Sequence, residues 1–272
     1  MSFFLKKMTP TMTVAFVKAS TPPFDVVFNK LAAVLTGGSF CHCEISFSNV
    51  SINGLRRLLG CYSARSRSEH NKRARAALES VCNLFPKDCP RGTNITIAFY
   101  ALQGMPLGVR VLAELADDPF YMQYGDGWRQ YAIVDAPQDV VTSQFVWCLE
   151  QTGKPYDTMA ALMSPFKSAH GGSGMEADRA SWFCSNHALR FCQHMALCGD
   201  LGLSGTTPND LDETLHKTYI ETSESPVDPE DTSEVFYLKL NQDHWQVIAD
   251  FVPYVIRSGR FSWDRAAFLE ND

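Results

Sequence analysis

SFCHCEISF, residues 39–47, alternates as a β-strand does. Successive side chains of a strand point to opposite faces, so Cys41, Cys43, Ile45 and Phe47 fall on one side and Phe40, His42, Glu44 and Ser46 on the other. The first set suits a core. The second places an imidazole, a carboxylate and a hydroxyl side by side. A partner for that imidazole stands far along the chain, in WFCSNHALRFCQHMALCG, residues 182–199. This run reads as a helix from about Cys184 to Cys198, stopped by Gly199. The unpaired N–H groups at a helix start carry partial positive charge and favour thiolate over thiol. A thiolate also needs a base that becomes a cation, and histidine is the usual one.

Seven histidines compete for that role. His187 and His194 lie on the same helix as Cys184, which aims them along it rather than across at the thiol. His170 falls in a glycine-rich loop, His70 in a basic stretch, and His216 and His244 in polar surroundings. Only His42 sits in mid-strand with a carboxylate two residues on, sharing its face.

The flanking segments build a mixed architecture. TVAFVKA (13–19) reads as a first strand, and STPPFDVVFNKLAAVLTGG (20–38) as a helix capped by Ser20 or Thr21 and ended by Gly37 and Gly38. LLGCYSA (58–64), NITIAFYAL (94–102) and RQYAIVDA (129–136) are strand candidates by their apolar, β-branched and aromatic content. Residues 139–152 read as an amphipathic helix, SAHGGSGMEAD (168–178) as a loop, and TPNDLDETL (207–215) as a capped helical turn begun by Pro208. The stretch 221–234 holds six acids, no base and two prolines, the composition of an exposed linker. VFYLKL and QDHWQVIADFVPYVI follow as a strand and a helix. The expectation is an α+β protein whose sheet comes mainly from residues 13–136, with a domain at 1–220 and an acidic linker plus extension at 221–272.

Composition narrows the classes. A hydrophobic fraction of 45% and a charged fraction of 20% are ordinary for a globular protein, and a net charge of −6 argues against non-specific nucleic-acid binding. No apolar run is long enough to span a membrane, so a cytoplasmic protein is expected. Nine cysteines, an odd number with no CxxC pair, read as reduced thiols mostly buried as small hydrophobes. Cys41, His42, Cys43 and the Cys184–His187 pair supply soft metal ligands. Adjacent strand residues face opposite ways, however, so neither a metal nor another cofactor is expected. The basic run at 56–75 (Arg56, Arg57, Arg65, Arg67, Lys72, Arg73, Arg75) reads as a solvated loop.

The order of four motifs carries a resemblance. HCEISF, then GKPYD at 153–157, WFCSNHAL at 182–189 and TPNDL at 207–211 resemble the circularly permuted NlpC-type, YiiX-like papain-fold cysteine amidases and peptidases, viral members included. The match spans roughly residues 13–215, with the histidine strand ahead of the cysteine helix as permutation requires. The resemblance implies a mainly antiparallel sheet packed by helices, one of them carrying the nucleophile. It implies Cys184 as nucleophile, His42 as general base, and a third polar group to orient the imidazole. That group is Glu44, from the H-x-E pattern, or Ser63, from a following strand. Tyr156 and Asp157 match a Y-D pair, the tyrosine lining the pocket and the aspartate capping the next segment. The chain departs from bacterial members at Glu44, where they have glycine, and at Asn186, where they have glutamate.

The leading expectation is therefore a cysteine hydrolase of amide bonds working through an acyl-enzyme. A lipid acyltransferase or thioesterase of the lecithin:retinol acyltransferase type shares the permuted core. A non-catalytic protein, such as a virion component docked in a larger assembly, is the third reading. The corresponding partners are a peptide, amide or lipid-ester substrate, or other proteins.

Overall fold

The sheet forms where β-branched and aromatic residues alternate. In the computed structural model, which describes residues 11–22, 24–63, 69–90, 93–112, 127–166, 180–203, 205–222, 235–241 and 244–245, six strands make one sheet. They are β1 (Thr11–Lys18), β2 (Phe40–Ser51), β3 (Asn94–Tyr100), β4 (Gly108–Val111), β5 (Trp128–Val134) and β6 (Val235–Lys239), in the order β4-β3-β2-β1-β5-β6. Every neighbouring pair is antiparallel except β5–β6, which is parallel. Seven helices accompany them: α1 (Val27–Leu35), α2 (Ile52–Ser63), α3 (Glu69–Cys82), α4 (Gln138–Gln151), α5 (Thr158–Met163), α6 (Cys184–His194) and α7 (Pro208–Thr222). The protein is thus α+β with a mixed sheet.

One face of the sheet supplies the main core. Val14 and Phe16 of β1, Cys43, Ile45 and Phe47 of β2, and Ile97 and Phe99 of β3 join apolar residues of α2, α3, α4, α6 and α7 in one buried cluster. Phe47 meets Phe99, Phe145 and Phe191 edge-on, at 5.9, 5.2 and 6.0 Å between ring centres. Edge-to-face contacts of this kind add to the burial term. The opposite face carries Ala15, Val17 and Trp128, with Phe24 packed against them, and it carries His42 and Glu44.

A bulge changes the start of β2. Val17 pairs with His42 but Lys18 pairs with Phe40, so Cys41 is an extra residue with no opposite number. Phe40 therefore turns to the core face, 5.7 Å from the Phe16 ring, instead of sharing the His42 face. Cys41 packs against Ala15, Val17 and Trp128.

Several elements differ from the sequence reading. The described part of LLGCYSA, residues 58–63, is helical, not a strand. Ile52, Leu55, Leu58 and Tyr62 are buried at helical spacing, a period that begins six residues before the quoted run. The basic run is not a loop throughout: Arg73 and Arg75 lie on α3, where Ala74, Leu78 and Val81 are buried and Arg75 pairs with Glu79 at 2.7 Å. α1 begins at Val27 with no side-chain cap, and Thr21 is not its cap; the Thr21 carbonyl instead accepts the Phe24 N–H at 2.7 Å in a turn ahead of the helix. α6 ends at His194 because Ala196 and Cys198 adopt left-handed backbone angles, φ 52° and 56°. α7 runs on to Thr222 rather than stopping as a single turn. The strand at 108–111 was not anticipated. The loop at 168–178, most of the acidic stretch and the C-terminal helix beyond residue 245 lie outside the described residues.

Candidate active site

The bulge and the register of β3 together make room for a visitor at β2. β3 pairs with β2 only from Ile45 onward, so among the described residues Phe40–Glu44 has a strand neighbour on one side only, β1. α6 packs against β2. Phe183 caps the helix in extended conformation, and its N–H donates to the Asn186 side-chain oxygen at 2.9 Å. A glutamate or glutamine commonly accepts this bond three residues into a helix, and Asn186 serves as the acceptor here. The first helical residue is Cys184, 7% exposed, and Ser185 donates to the Thr206 carbonyl at 2.7 Å. Cys184 belongs to the main core cluster and lines one cleft with His42.

His42 and Cys184 line the same cleft, close enough that each shifts the other's titration. Behind the ring, Nε2 of His42 lies 3.6 Å from Oε2 of Glu44, an ion-pair distance slightly too long for a hydrogen bond. Phe24 stacks on the imidazole, with ring centres 5.4 Å apart and planes within 12°. Glu44 in turn receives Arg110, whose Nη2 lies 2.8 Å from Oε1 and 2.6 Å from Oε2. Arg110 belongs to β4 and crosses β3 diagonally, resting 5.1 Å over the Tyr100 ring. A Cβ at Gly108 would stand 2.7 Å from that ring, so glycine there leaves the tyrosine its place.

Charges alternate along this line: guanidinium, carboxylate, imidazolium, thiolate. Burial alone would push the Glu44 carboxyl up, but Arg110 and then His42 outweigh it and hold the group below its ordinary value. Burial would likewise lower His42, yet the Cys184 thiolate and Glu44 raise it to about 9. Cys184 is held well below its ordinary value, first by a hydrogen bond from the Cys43 thiol, against burial, and then by His42 and the Cys43 backbone N–H. Cys41 and Cys43 move the opposite way: burial, with Cys184 adding to it, lifts Cys41 to about 12 and Cys43 well above the usual thiol range. Of the three thiols at the site, one is set up as an anion.

Tyr156 and Asp157 arrive on a short segment bridged to Trp182. Trp182 N–H donates to the Pro155 carbonyl at 3.1 Å, and Asp157 N–H donates to the Trp182 carbonyl at 2.9 Å. Tyr156 lines the same cleft as Cys184 and His42, and burial, reinforced by Cys184, keeps its phenol protonated. Asp157 does not face the cleft. One of its oxygens accepts the Ala160 N–H at 2.9 Å, capping α5, and the other accepts the Ser181 hydroxyl at 3.0 Å.

The strand expected to bring Ser63 beside His42 is corrected to a helix. Ser63 ends α2 rather than sitting on a strand beside β2, and its side chain lies outside the described residues. Three other histidines among the described residues pack away from Cys184. His187 is stacked on Trp147 at 5.2 Å and burial drives it down to about 3; His216 packs on Phe236, and His244 lies 2.7 Å from the Met195 carbonyl. The sequence reading missed Arg110 and Phe24. No local signal in the sequence marked either residue. Among the described residues no group of three or more His, Cys, Asp or Glu side chains is disposed to hold a metal ion, and no helix is long and apolar enough to cross a membrane.

No family model, curated protein or solved structure matches this chain.

Proposed function

We propose that the protein is a cysteine hydrolase in which Cys184 attacks an amide or ester carbonyl and His42 carries the proton. The single observation behind this reading is that a thiol at a helix start and a buried imidazole backed by Glu44 line one cleft. The histidine strand precedes the cysteine helix, and the remaining motifs fall in the order expected of a permuted papain-like core. That order supports placing the fold in the same class.

The steps follow from the charges. The Cys184 thiolate adds to the carbonyl carbon, forming a C–S bond. The developing oxyanion lies near the Cys184 backbone N–H, which at the first position of α6 has no acceptor within its helix. Tyr156, kept protonated, is a second donor facing the cleft. Collapse breaks the bond to the leaving nitrogen or oxygen, which takes the proton from the His42 imidazolium. Neutral His42 then removes a proton from water as that water attacks the thioester. The C–S bond breaks, thiolate departs, and the imidazolium is restored. Glu44, fixed by Arg110, holds the ring and stabilises its positive form.

Iodoacetamide labelling read by intact mass tests the proposal. Wild-type chain is expected to take one fast label at neutral pH, on Cys184, and Cys184→Ala to lose it while keeping its circular dichroism. Equal fast labelling of the Cys184→Ala variant would overturn the assignment.

A further inference from the structure

The cleft above Cys184 and the helices beside it share an anomaly. None of the residues of α5 is buried, although all but Thr158 are apolar, and residues 158–166 carry no charge at all. α1 has a single charged residue, Lys30. Val27 is 82% exposed, Val34 73%, Phe166 70% and Met159 68%. A soluble monomer rarely leaves neighbouring apolar faces in water without a use for them. These two helices are neighbours across one opening, since Leu31 and Leu35 of α1 and Ala161 and Leu162 of α5 line the cleft that ends at Cys184.

The cleft itself encloses about 150 Å³. Among the described residues its lining includes no Asp, Glu, Lys or Arg. Many of its polar groups are already committed: Asn29, Thr36, Ser164 and Ser185 each donate to a backbone carbonyl of this chain. A bound peptide would bring N–H and C=O groups that need partners on burial. An aliphatic chain needs none.

We propose that the cleft takes the aliphatic acyl chain of a carboxylic ester, and that the exposed faces of α1 and α5 seat the protein on the lipid surface that supplies it. This rests on Cys184 acting as the nucleophile. The C–S bond forms as the ester C–O bond breaks, the departing alkoxide takes the His42 proton, and water later releases the fatty acid and restores the thiolate. A cavity of this size holds on the order of six carbons, by comparison with apolar cavities that admit benzene. The rest of a longer chain lies between the apolar helices. A protein partner would cover α1 and α5 equally well, but it would present polar backbone to the cleft. Lipid satisfies both surfaces, as it does for amphipathic helices lying in an interface.

The test uses the full chain in two arms. In the first, p-nitrophenyl acetate, butyrate, hexanoate and octanoate are compared by kcat/KM, with intact mass reading acyl-Cys184. Efficiency is expected to climb steeply with each methylene, reaching roughly tenfold or more between acetate and hexanoate. In the second, co-sedimentation with phosphatidylcholine vesicles is compared for wild type, Val34→Glu and Phe166→Glu. Neither substituted side chain lines the cleft. Both variants are expected to lose roughly tenfold in vesicle partitioning and to hydrolyse butyrate as wild type does. Acetate used as well as hexanoate, no vesicle binding, or full binding by both variants would overturn the proposal. A dimer dissolved by the same substitutions, without vesicle binding, would assign the surface to a second copy and overturn the lipid assignment. Iodoacetamide labelling of Cys184 with no acylation by any ester would overturn the substrate class alone; no labelling would overturn the nucleophile as well.

Discussion

One guanidinium nitrogen of Arg110 reaches both carboxylate oxygens of Glu44, at 2.8 and 2.6 Å, with both side chains buried. Removing one partner from such a pair leaves a charge in a place that cannot solvate it. Arg110→Met is expected to cost about 3–5 kcal/mol, read as a fall in the urea midpoint. The double variant Arg110→Met/Glu44→Leu should recover most of that loss. A neutral single variant would mean that the pair is not what holds the two strands' side chains in place.

The pH profile follows from the directions of the shifts. Cys184 is ionised well below its ordinary 9.0 and His42 keeps its proton up to about 9, so the ion pair spans the interval between them. Alkylation of Cys184 should already be fast and nearly independent of pH around neutrality. Hydrolysis should fall as pH rises through about 9, where the proton due to the leaving group is lost. These limits belong to the coupled pair rather than to either residue alone.

Glu44→Gln removes one of the charges that raise His42, so the upper limb of the pH–rate profile should move to lower pH. Steady-state rates between neutrality and alkaline pH measure it. An unmoved limb would take Glu44 out of the electrostatics of the site.

Gly108→Ala places a methyl group 2.7 Å from the Tyr100 ring. The ring must shift, and with it the surface on which Arg110 rests. Overpacking of this kind costs about 1–3 kcal/mol. Slower alkylation of Cys184 should accompany the loss, because the line from Arg110 to the thiol is disturbed; normal stability and labelling would show that the ring has room to spare.

Asn186→Ala should cost about 1 kcal/mol through the lost cap, whereas Asn186→Glu should restore much of it by accepting the same Phe183 N–H. Thermal unfolding of the two variants separates the cap from any other role of the position.

Much of this was legible in local pattern. Strand alternation found β1, β2, β3 and β5, and the helix-start cysteine and mid-strand histidine were each visible in a short window. What failed, failed for want of long-range information. LLGCYSA read as a strand because its helical period is set by Ile52 and Leu55, outside the run. Ser63 became a candidate for the same reason. Phe40 was placed beside His42 because a bulge at Cys41 cannot be read from alternation alone. Arg110 was invisible because β4 is a short strand, and its role exists only through the diagonal crossing of β3. The capping use of Asn186 was readable in principle, since it stands three residues after Phe183.

The site is split along the chain: residues 11–112 bring His42, Glu44 and Arg110, residues 127–222 bring Tyr156 and Cys184, and the two parts are joined by the pairing of β1 with β5. β1 to β4 pair in sequence order, each with the next, so they can assemble as they leave the ribosome. The cysteine is made afterwards and meets its base only when α6 docks at the edge of β2. Until then it titrates as an ordinary thiol. A nascent chain therefore carries no aggressive nucleophile while it is unfolded and crowded by its neighbours, and a thiol probe pulsed during refolding should find Cys184 hyperreactive only in the last species to form.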